Sequence, residues 1–462
     1  MLNDQQSPFT LTLTDGPLCL PVLRFSGKEA LNQPFRFEIE VMGLAPALPP
    51  GSLLRQPAYL RLGADHGIHG QIHSVSCEHR ASHRIAYRLT LVPQLLSLAQ
   101  APRRRVFVQS SVPAILAQLL GEHGLTADSY RIEMSVGHYP VRPFCIQYEE
   151  SDLALLQRLC EEEGIHYHFE HYPLGHVVVF ADDNLSLPQE PMPLPFAVAD
   201  DSPSPRLNTV FQRHDATPIM AAPGIRNRGQ QVIAEDAANH SVPTVIPLQL
   251  SGTQRHAEQR SRRHLQRQRC QSRSIHGRSD CSALRSGHLL QISEHPINAF
   301  NEQWLMTELQ HQGQHPSILD PTSEEHHYRN HFTALPWSTE FRPPLAQPRP
   351  NIAGYHLARV LGTSGQPAQL DELGRIGVSL WPAQEADAAC LWLPIALTGA
   401  NGRLTAHELP RAGSEVWVSF LDSDPDRPIL CLANPRPAPP RETPPTRDSS
   451  LLLDWLLNSA GP

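Results

Sequence analysis

The chain has 462 residues, of which 38 are Lys or Arg and 46 are Asp or Glu, so its net charge is −8 at pH 7. A chain of this length is expected to form about three domains, each with its own core, and its acidic balance argues against nucleic-acid binding. No apolar run approaches the roughly 20 residues that cross a bilayer, and Met1 to Pro8 lack the basic start and apolar core of a secretory signal. We therefore expect a soluble cytoplasmic protein that does not insert into membranes by itself, and that could be exported only by a machine needing no signal peptide.

Strand-like alternation dominates the first hundred residues. We predict strands over 11–25, 35–41, 70–75 and 86–91, with turns at Gly27 and Asn32. The apolar spacing from Val112 to Leu120 predicts an amphipathic helix, because Ser111 precedes it and Pro113 lies in its first turn. The three arginines at 103–105 could contact phosphates, but a solvated strand edge is the better interpretation.

A strand, a helix and a second strand follow between residues 144 and 169. Phe144 to Tyr148 alternate like a strand, and Ser151 is placed to accept a hydrogen bond from a free N–H of the next turn. Leu153, Leu156 and Cys160 recur at helical spacing. Gly164 is then predicted to end the helix in the left-handed backbone conformation, and residues 165–169 predict the second strand.

Proline and arginine shape the middle of the chain. Pro191 to Pro205 predicts a connector between two β units or a cover over a sheet edge. Residues 255–273 hold seven arginines with little apolar periodicity. Such a helix could bind a phosphate backbone, but its glutamines, serines and Glu258 favour a solvated helix. Pro336 to Pro350 predicts an extended linker, after which we place the boundary of a C-terminal domain.

Five short strands are predicted near the C-terminus, at 356–362, 374–381, 389–396, 415–420 and 428–432. Their number and spacing favour a small closed barrel of the OB type. Such barrels often bind single nucleic-acid strands or sugars, but residues 351–440 contain six arginines against nine acidic residues. We therefore expect Trp381, Trp392 and Trp417 to form core or subunit contacts rather than a stacking platform.

Alternating carboxylates at Asp422, Asp424 and Asp426 could coordinate calcium. The EF-hand pattern requires a glycine at loop position six and a glutamate at position twelve, and neither is present. A structural turn pinned by Arg427 and Pro428 is the better interpretation.

Eleven of the 25 histidines fall in four clusters that could hold a metal. The clusters are His66/His69/His73, His166/His168/His171, His311/His315, and His326/His327/His331 with Glu324 and Glu325. A catalytic zinc site needs a third ligand and a positioned carboxylate beyond any such pair, and the eight cysteines form no CxxC pair. No HExxH, GxSxG or GxxxxGK[ST] motif occurs. We interpret the histidines as solvated or hydrogen-bonded and assign no catalytic, cofactor-binding or metal-binding residue.

Residues 144–169 resemble the QYxESDxxFxxRLxEExGIxYxF signature of VgrG proteins, the spikes of type VI secretion systems, which are similar to the hub and spike of contractile phage baseplates. Residues 22–35 resemble the opening hairpin of that family, and residues 69–72 resemble its hGxV strand. Residues 371–378, 410–418 and 420–428 resemble its DExGRVxV, PRxGxEVxV and FxxGDPDRP motifs.

The resemblance implies a mainly β (α+β) fold like that of a phage hub. It implies a hub β-barrel domain with helices at 1–200, a second hub β-domain at 201–345 and an OB-fold domain at 346–436. The implied role is structural and not enzymatic. Three copies would form an adaptor between the hexameric tube and the tip of a contractile secretion machine, in contact with baseplate proteins. The alternatives are a baseplate hub of a phage-tail-like particle or prophage, and a stand-alone OB-fold binding or metal-hydrolase protein.

The chain departs from the family pattern after the barrel. Members usually continue into a long repetitive β-helix, whereas residues 441–462 contain no repeat. Residues 437–462 are predicted to be a Pro-rich linker and a short apolar tail. We expect 449–462 to dock on a tip protein, adaptor, effector or neighbouring subunit, because so short a helix needs a partner. A fraying tail or a remnant of a truncated gene is the alternative. Pro394 also replaces a common arginine and puts one barrel-strand contact in doubt.

Overall fold

A computed structural model of the chain describes residues 8–14, 18–44, 48–64, 66–81, 84–197, 205–214, 254–315, 327–381, 389–396 and 409–432. The described residues belong to two compact units, one ending at Pro350 and the other beginning at Asn351. Mainly β structure is present in both, as predicted. Among the helices of these residues, none is both long and apolar enough to cross a membrane.

The strands of the first unit are β1 Thr10–Leu13, β2 Cys19–Ala30, β3 Gln33–Leu44, β4 Pro57–Arg61, β5 Gly67–Ala81, β6 Arg84–Val92, β7 Arg103–Ser110, β8 Tyr130–Glu133, β9 Arg142–Glu150, β10 His166–Tyr172, β11 Gly175–Ala181, β12 Met192–Pro195, β13 Leu207–His214, β14 Arg273–Ser279, β15 Leu289–Ser293, β16 Gln303–Gln314 and β17 His327–Pro336. Its α-helices are α1 Pro50–Leu53, α2 Val112–Glu122, α3 Asp152–Glu163 and α4 Gln254–Ser272.

A closed barrel forms the first part of this unit. Its strands pair in the circle β1-β4-β5-β6-β3-β2, and β2 pairs back to β1. Strand β2 also pairs with β16, so the sheet continues without a break through β17 and β14 to β13. The predicted domain boundary at 200 is therefore crossed by strand pairing, and the division of the first 345 residues into two domains stays a prediction.

Helices α2 and α3 confirm the helices predicted from apolar spacing. Val112, Ile115, Leu116, Leu119 and Leu120 are the buried residues of α2. The two helices pack into the same core as the barrel, together with the hairpin β10–β11.

The predicted turn at Gly27 is wrong, although Asn32 does occupy a turn with φ of 60°. Gly27 lies inside β2, directly opposite Phe37 of β3, and a Cβ at Gly27 would overlap the Phe37 ring. The same arrangement recurs where Gly313 faces Phe25. Glycine is needed in this sheet to make room for an inward aromatic ring, which turn statistics cannot reveal.

Residues 337–350, which follow the end of β17, contain no helix or strand, as predicted for a linker, but the expectation of an unpacked connector is wrong for their first half. Phe341 and Arg342 are buried, and Phe341 lies in a core cluster with Leu187 and Leu335. Buried backbone groups need partners, and here α4 and the loop after β11 supply them.

The second unit contains β18 Tyr355–Val360, β19 Ile376–Leu380, β20 Leu391–Leu393, β21 Ile395–Ala396, β22 Glu415–Phe420 and β23 Pro428–Cys431. These strands lie within the predicted ones or within one residue of them. Pairings run from β18 to β19 and β20, and from β21 through β23 and β22 back to β18. Pro394 separates β20 from β21, and its carbonyl accepts a hydrogen bond from Leu430 N at 2.9 Å. The proline thus marks the point where one strand changes partners.

We expect Gly27→Ala to destabilise the first unit by about 1–3 kcal/mol, because the added methyl group overpacks the barrel against Phe37. Gly175→Ala is the control, since a Cβ at this strand glycine meets nothing within 4 Å. Urea unfolding followed by circular dichroism measures both changes. Equal midpoints for the two variants would contradict the role given to Gly27.

Candidate functional site

Helix α3 begins and ends as the sequence predicts. Ser151 Oγ accepts a hydrogen bond from Ala154 N at 3.2 Å. Gly164 ends the helix with φ of 68°, and its N–H is bonded to the carbonyls of Cys160 and Glu161. The last turn carries Glu161, Glu162 and Glu163, where the helix dipole disfavours negative charge. These carboxylates therefore need cationic partners from elsewhere in the chain.

Glu163 is the centre of a buried polar cluster, which we name the α3–α4 junction; it comprises Glu161, Glu163, Asp182, His256, Arg263, Arg267 and Arg342. Glu163 accepts hydrogen bonds from Arg142 Nη2 at 2.6 Å and from His256 Nε2 at 2.9 Å. Arg263 Nη1 lies 3.6 Å from the same carboxylate. Burial alone would raise the pKa of Glu163, but the His256 hydrogen bond and the Arg142 charge outweigh it and hold the pKa at about 2.

Helix α4 corrects the interpretation of a solvated helix. Its His256, Arg263 and Arg267 are each at least nine-tenths buried, and Gln259 and Gln266 lie on the same stripe at helical spacing. Arg255 and the other arginines of the opposite face remain exposed. The stripe was missed because hydrophobic periodicity detects only helix faces made of apolar residues. It cannot detect a face that is buried against polar partners. A stripe of His, Gln and Arg at three- and four-residue spacing was the available signal.

Asp182 binds the loop that precedes β9. Its carboxylate accepts hydrogen bonds from the backbone N–H groups of Ser135 and Val136 at 2.9 and 3.3 Å, from Gly137 N, and from Tyr139 Oη at 2.9 Å. Arg263 Nη2 donates to Tyr139 Oη at 2.8 Å. A fully buried carboxylate is thus satisfied by three consecutive amides and a phenol.

The segment 340–347 is held by the same junction. Arg267 donates to Pro343 O at 2.7 Å and to Glu161 O at 2.6 Å. Arg342 donates to Asp182 O at 2.9 Å. Glu161 Oε2 accepts from the backbone N–H groups of residues 346 and 347 at 2.8 and 2.7 Å. Three segments that are distant in sequence therefore meet at the end of α3.

The arginines at 103–105 are paired rather than simply solvated. Asp152 accepts a hydrogen bond from Arg105 Nη2 at 3.0 Å and lies 3.5 Å from Arg103 Nη1. Arg104 pairs with Glu149. The carboxylates that neutralise these arginines lie on α2, β9 and α3, which leaves little free positive charge for a phosphate backbone.

A chain of histidines joins the barrel to the hairpin β10–β11. Gln94 N–H donates to His176 Nε2 at 3.1 Å, so a neutral His176 carries its proton on Nδ1 and donates to His69 Nδ1 at 3.0 Å. His69 then donates from Nε2 to Thr14 Oγ1 at 3.3 Å. His171 Nδ1 accepts from His69 N at 3.2 Å. Burial lowers the pKa of His176 to about 3 and that of His171 well below its usual value, so both are neutral at pH 7.

The other members of the first two histidine clusters lie apart. His66 is hydrogen-bonded to Ser282 at 2.9 Å, whereas His73 is exposed. His166 and His168 share one face of β10, as predicted, and both are buried. Neither ring nitrogen of His168 has a hydrogen-bond partner in the described part of the chain, and burial lowers its pKa to about 4.

The third cluster contains a buried hydrogen-bonded pair of a histidine and a carboxylate. His311 Nε2 lies 3.2 Å from Glu29 Oε1, and His311 Nδ1 lies 2.6 Å from Tyr328 Oη. Burial alone would raise the pKa of Glu29, but the hydrogen bond and charge of His311 and the charge of Arg285 hold it at about 2. His315 N donates to the carbonyl of Leu23.

In the fourth cluster, His327 is exposed and His331 is half-buried, whereas Glu324, Glu325 and His326 lie outside the described residues. No group of three or more His, Cys, Asp and Glu side chains within the described ranges is placed to hold a metal ion. The predicted tail, 449–462, also lies outside those ranges.

The Asp422 loop is a turn, as predicted. Arg427 pairs with Asp422, and Asp426 N donates to Asp424 Oδ1 at 3.0 Å. The three predicted tryptophans of this unit are not core residues, because Trp381 and Trp417 are half-buried and Trp392 is 38% exposed. Their role in subunit contact stays a prediction.

Known proteins similar to this chain are phage hub and secretion spike proteins. Residues 28–317 match the family model described as phage tail baseplate hub (GPD). The type VI secretion system spike protein VgrG5 of Pseudomonas aeruginosa is 37% identical over 96% of this chain and 60% of its own length. VgrG4b of the same organism is 35% identical over 96% of this chain and 58% of its own length. The chain thus spans about three-fifths of the length of these relatives.

A solved structure shares the fold. The E. coli c3393 protein, described as a component of the type VI secretion system with structural similarity to the T4 bacteriophage tail proteins gp27 and gp5, matches with a TM-score of 0.69. It covers 91% of this chain and 98% of its own chain at 23% identity. The hub-like fold predicted from the sequence is confirmed.

Glu163→Gln should destabilise the first unit by about 3–5 kcal/mol, because the neutral amide removes the buried negative charge that Arg142, His256 and Arg263 share, and leaves those arginines only the carboxylates of Glu162 and Asp182, at 3.7 and 3.6 Å. Glu133→Gln is the control, since its pair with Arg131 is exposed and contributes about 0–1 kcal/mol. Urea unfolding at pH 7 compares the variants. A loss of less than about 1 kcal/mol in Glu163→Gln would show that the junction does not stabilise the unit.

The free energy of unfolding should fall as the pH falls from about 6.5 towards 4. His166, His168, His171 and His176 have lowered pKa values in the folded chain, so the unfolded state binds more protons and gains from acid. Each such histidine contributes a slope of about 1.4 kcal/mol per pH unit within that window. Urea unfolding between pH 7.5 and 4.5 measures the slope. His176→Gln should lower this slope by the contribution of about one proton, whereas His73→Gln, at an exposed histidine, should leave the slope unchanged. A free energy of unfolding that does not change with pH in the parent chain would contradict the neutral histidine cluster.

Proposed function

Because the chain belongs to the phage tail baseplate hub family, we propose that it is a spike hub of a type VI secretion machine, as its VgrG relatives are named. The observation that carries this proposal is the hub architecture of the first unit. The sheet of a closed barrel continues through β2 and β16 to β13, and the α3–α4 junction fixes the helices and the segment 340–347 beside it. Such a unit suits a part that transmits force without changing shape.

The proposed assembly is a homotrimer. A head-to-tail interface forms a closed ring when the rotation from one copy to the next is one third of a turn. Each copy would contribute two hub β-domains, at 1–200 and 201–345. Three copies would therefore present six β-domains to a hexameric tube. We assign the tube protein, baseplate proteins and a tip protein, adaptor or effector as partners, the last through 449–462. The predicted domain 346–436, which contains the described strands of the second unit, is assigned as an OB-type domain, because six short strands pair there in one continuous order.

The proposed role is structural and not catalytic. In the described residues the buried carboxylates Glu29, Glu163 and Asp182 are bound to arginine, histidine or backbone N–H groups that fix them in place. Groups held in this way stabilise a fold and are poor candidates for proton transfer to a substrate. Export would occur with the machine itself and would need no signal peptide.

Native mass spectrometry of the purified full chain, with and without the hexameric tube protein of the same machine, tests the proposal. We expect a particle of three times 51.4 kDa, and a heavier particle that contains one tube hexamer when that protein is added. Glu133→Gln, which changes an exposed ion pair, is the control variant and should behave like the parent chain. A monomer that leaves the tube hexamer free at micromolar concentration would contradict the proposal.

A further inference from the structure

A shallow cavity of about 280 Å³ lies on the outer face of the extended sheet. Side chains of β13, β14, β16 and β17 line it, among them Phe211, His276, Arg278, Glu308 and His331. The strand register places Phe211 opposite His276 and Arg278 opposite His331. These positions lie on the opposite face from Ile275 and Phe332, which are buried in the core below.

One wall of the cavity is an exposed aromatic platform. Phe211 is 60% exposed although it belongs to a strand. Its ring stacks on His276 with centroids 5.1 Å apart and an interplanar angle of 17°. His276 is fixed in turn by Thr333, whose Oγ1 lies 3.1 Å from its Nδ1. The platform is therefore apolar, flat and held in position before any partner arrives.

Within the described residues, the other wall carries positive charge that no carboxylate balances. Arg278 is exposed and has no hydrogen-bond or ion-pair partner among the described residues, and Arg329 Nε donates only to the neutral Gln312, at 3.0 Å. His331 lies between them, and burial together with the charges of Arg278 and Arg329 lowers its pKa. The acidic group at the cavity, Glu308, is already paired with Lys28 at 3.0 Å.

The same sheet balances its arginines elsewhere. On β2 and β3, Arg24 Nη2 lies 2.6 Å from Glu40, and Arg36 Nη2 lies 2.9 Å from Glu38. An unbalanced cationic patch on a chain of net charge −8 therefore indicates a surface kept for a partner.

We propose that this face, formed by Phe211, His276, Arg278, Arg329 and His331, docks an acidic segment of a protein partner that carries an aromatic or aliphatic side chain. The carboxylates of the segment would pair with Arg278 and Arg329, which lie on adjacent strands. Its apolar side chain would pack on the Phe211 ring. A nucleic acid is a poorer fit, because the patch is small and the rest of the chain is acidic. The proposal stands whichever contractile machine the hub serves.

Fluorescence anisotropy of the full-length chain with a labelled peptide of alternating glutamate and phenylalanine tests the docking face. We expect saturable binding that weakens with added salt. The double variant Arg278→Glu/Arg329→Glu should bind the peptide at least about tenfold more weakly than the parent chain. Phe211→Ser should weaken binding with little change in salt dependence. The matched control is Arg255→Glu/Arg260→Glu, which reverses two exposed arginines of α4 and should bind like the parent chain.

Three results would overturn the proposal. The first is equal binding by the parent chain and the Arg278→Glu/Arg329→Glu variant, with unfolding midpoints showing both folded. The second is equal binding of a peptide with glutamine in place of glutamate. The third is binding of single-stranded DNA that depends on Arg278 while the acidic peptide does not bind, which would make the face a nucleic-acid site.

Discussion

A carboxylate buried at the C-terminal end of α3 is the constraint on which the first unit depends. The helix dipole and desolvation both act against a charged Glu163 at this place. The charge is kept because Arg142, His256 and Arg263 surround it. Because His256 and Arg263 belong to α4, this helix must lie against α3 to supply them. The other polar groups on the same face of α4 must then also find hydrogen-bond partners beside α3. The buried charge therefore determines where α4 packs and, through Arg267, where 340–347 lies.

The junction and the sheet together explain why the unit is a single body. Hydrophobic burial holds the barrel, α2 and α3 in one core, whereas α4 is attached mainly by directional polar contacts. Removal of one member of a buried ion network costs more than the network itself contributes, since the partner is left uncompensated. Such contacts specify one arrangement, and we connect this rigidity to the adaptor role that the family suggests.

The sequence predicted elements whose signals are local and missed contacts that are distant along the chain. The α3 cap, the left-handed Gly164 and the apolar stripe of α2 need only neighbouring residues, and all are present. The burial of one face of α4 could not be predicted from neighbouring residues, because His256 and its partner Glu163 are 93 residues apart. Gly27 was mistaken for a turn residue because the Phe37 ring that requires it belongs to another strand.

Hydrogen exchange of the full-length chain, followed by mass spectrometry at pH 7, tests the central claim that the junction is a permanently closed part of the hub. The amides of 135–137 and 346–347 lie in irregular segments and donate to the buried carboxylates of Asp182 and Glu161, with a further bond from Ala346 N to Pro344 O at 3.1 Å. Our account predicts that they exchange about as slowly as those of β2, since opening them would require breaking the buried charge network. Exchange as fast as that of Leu174, in the exposed turn between β10 and β11, would contradict it.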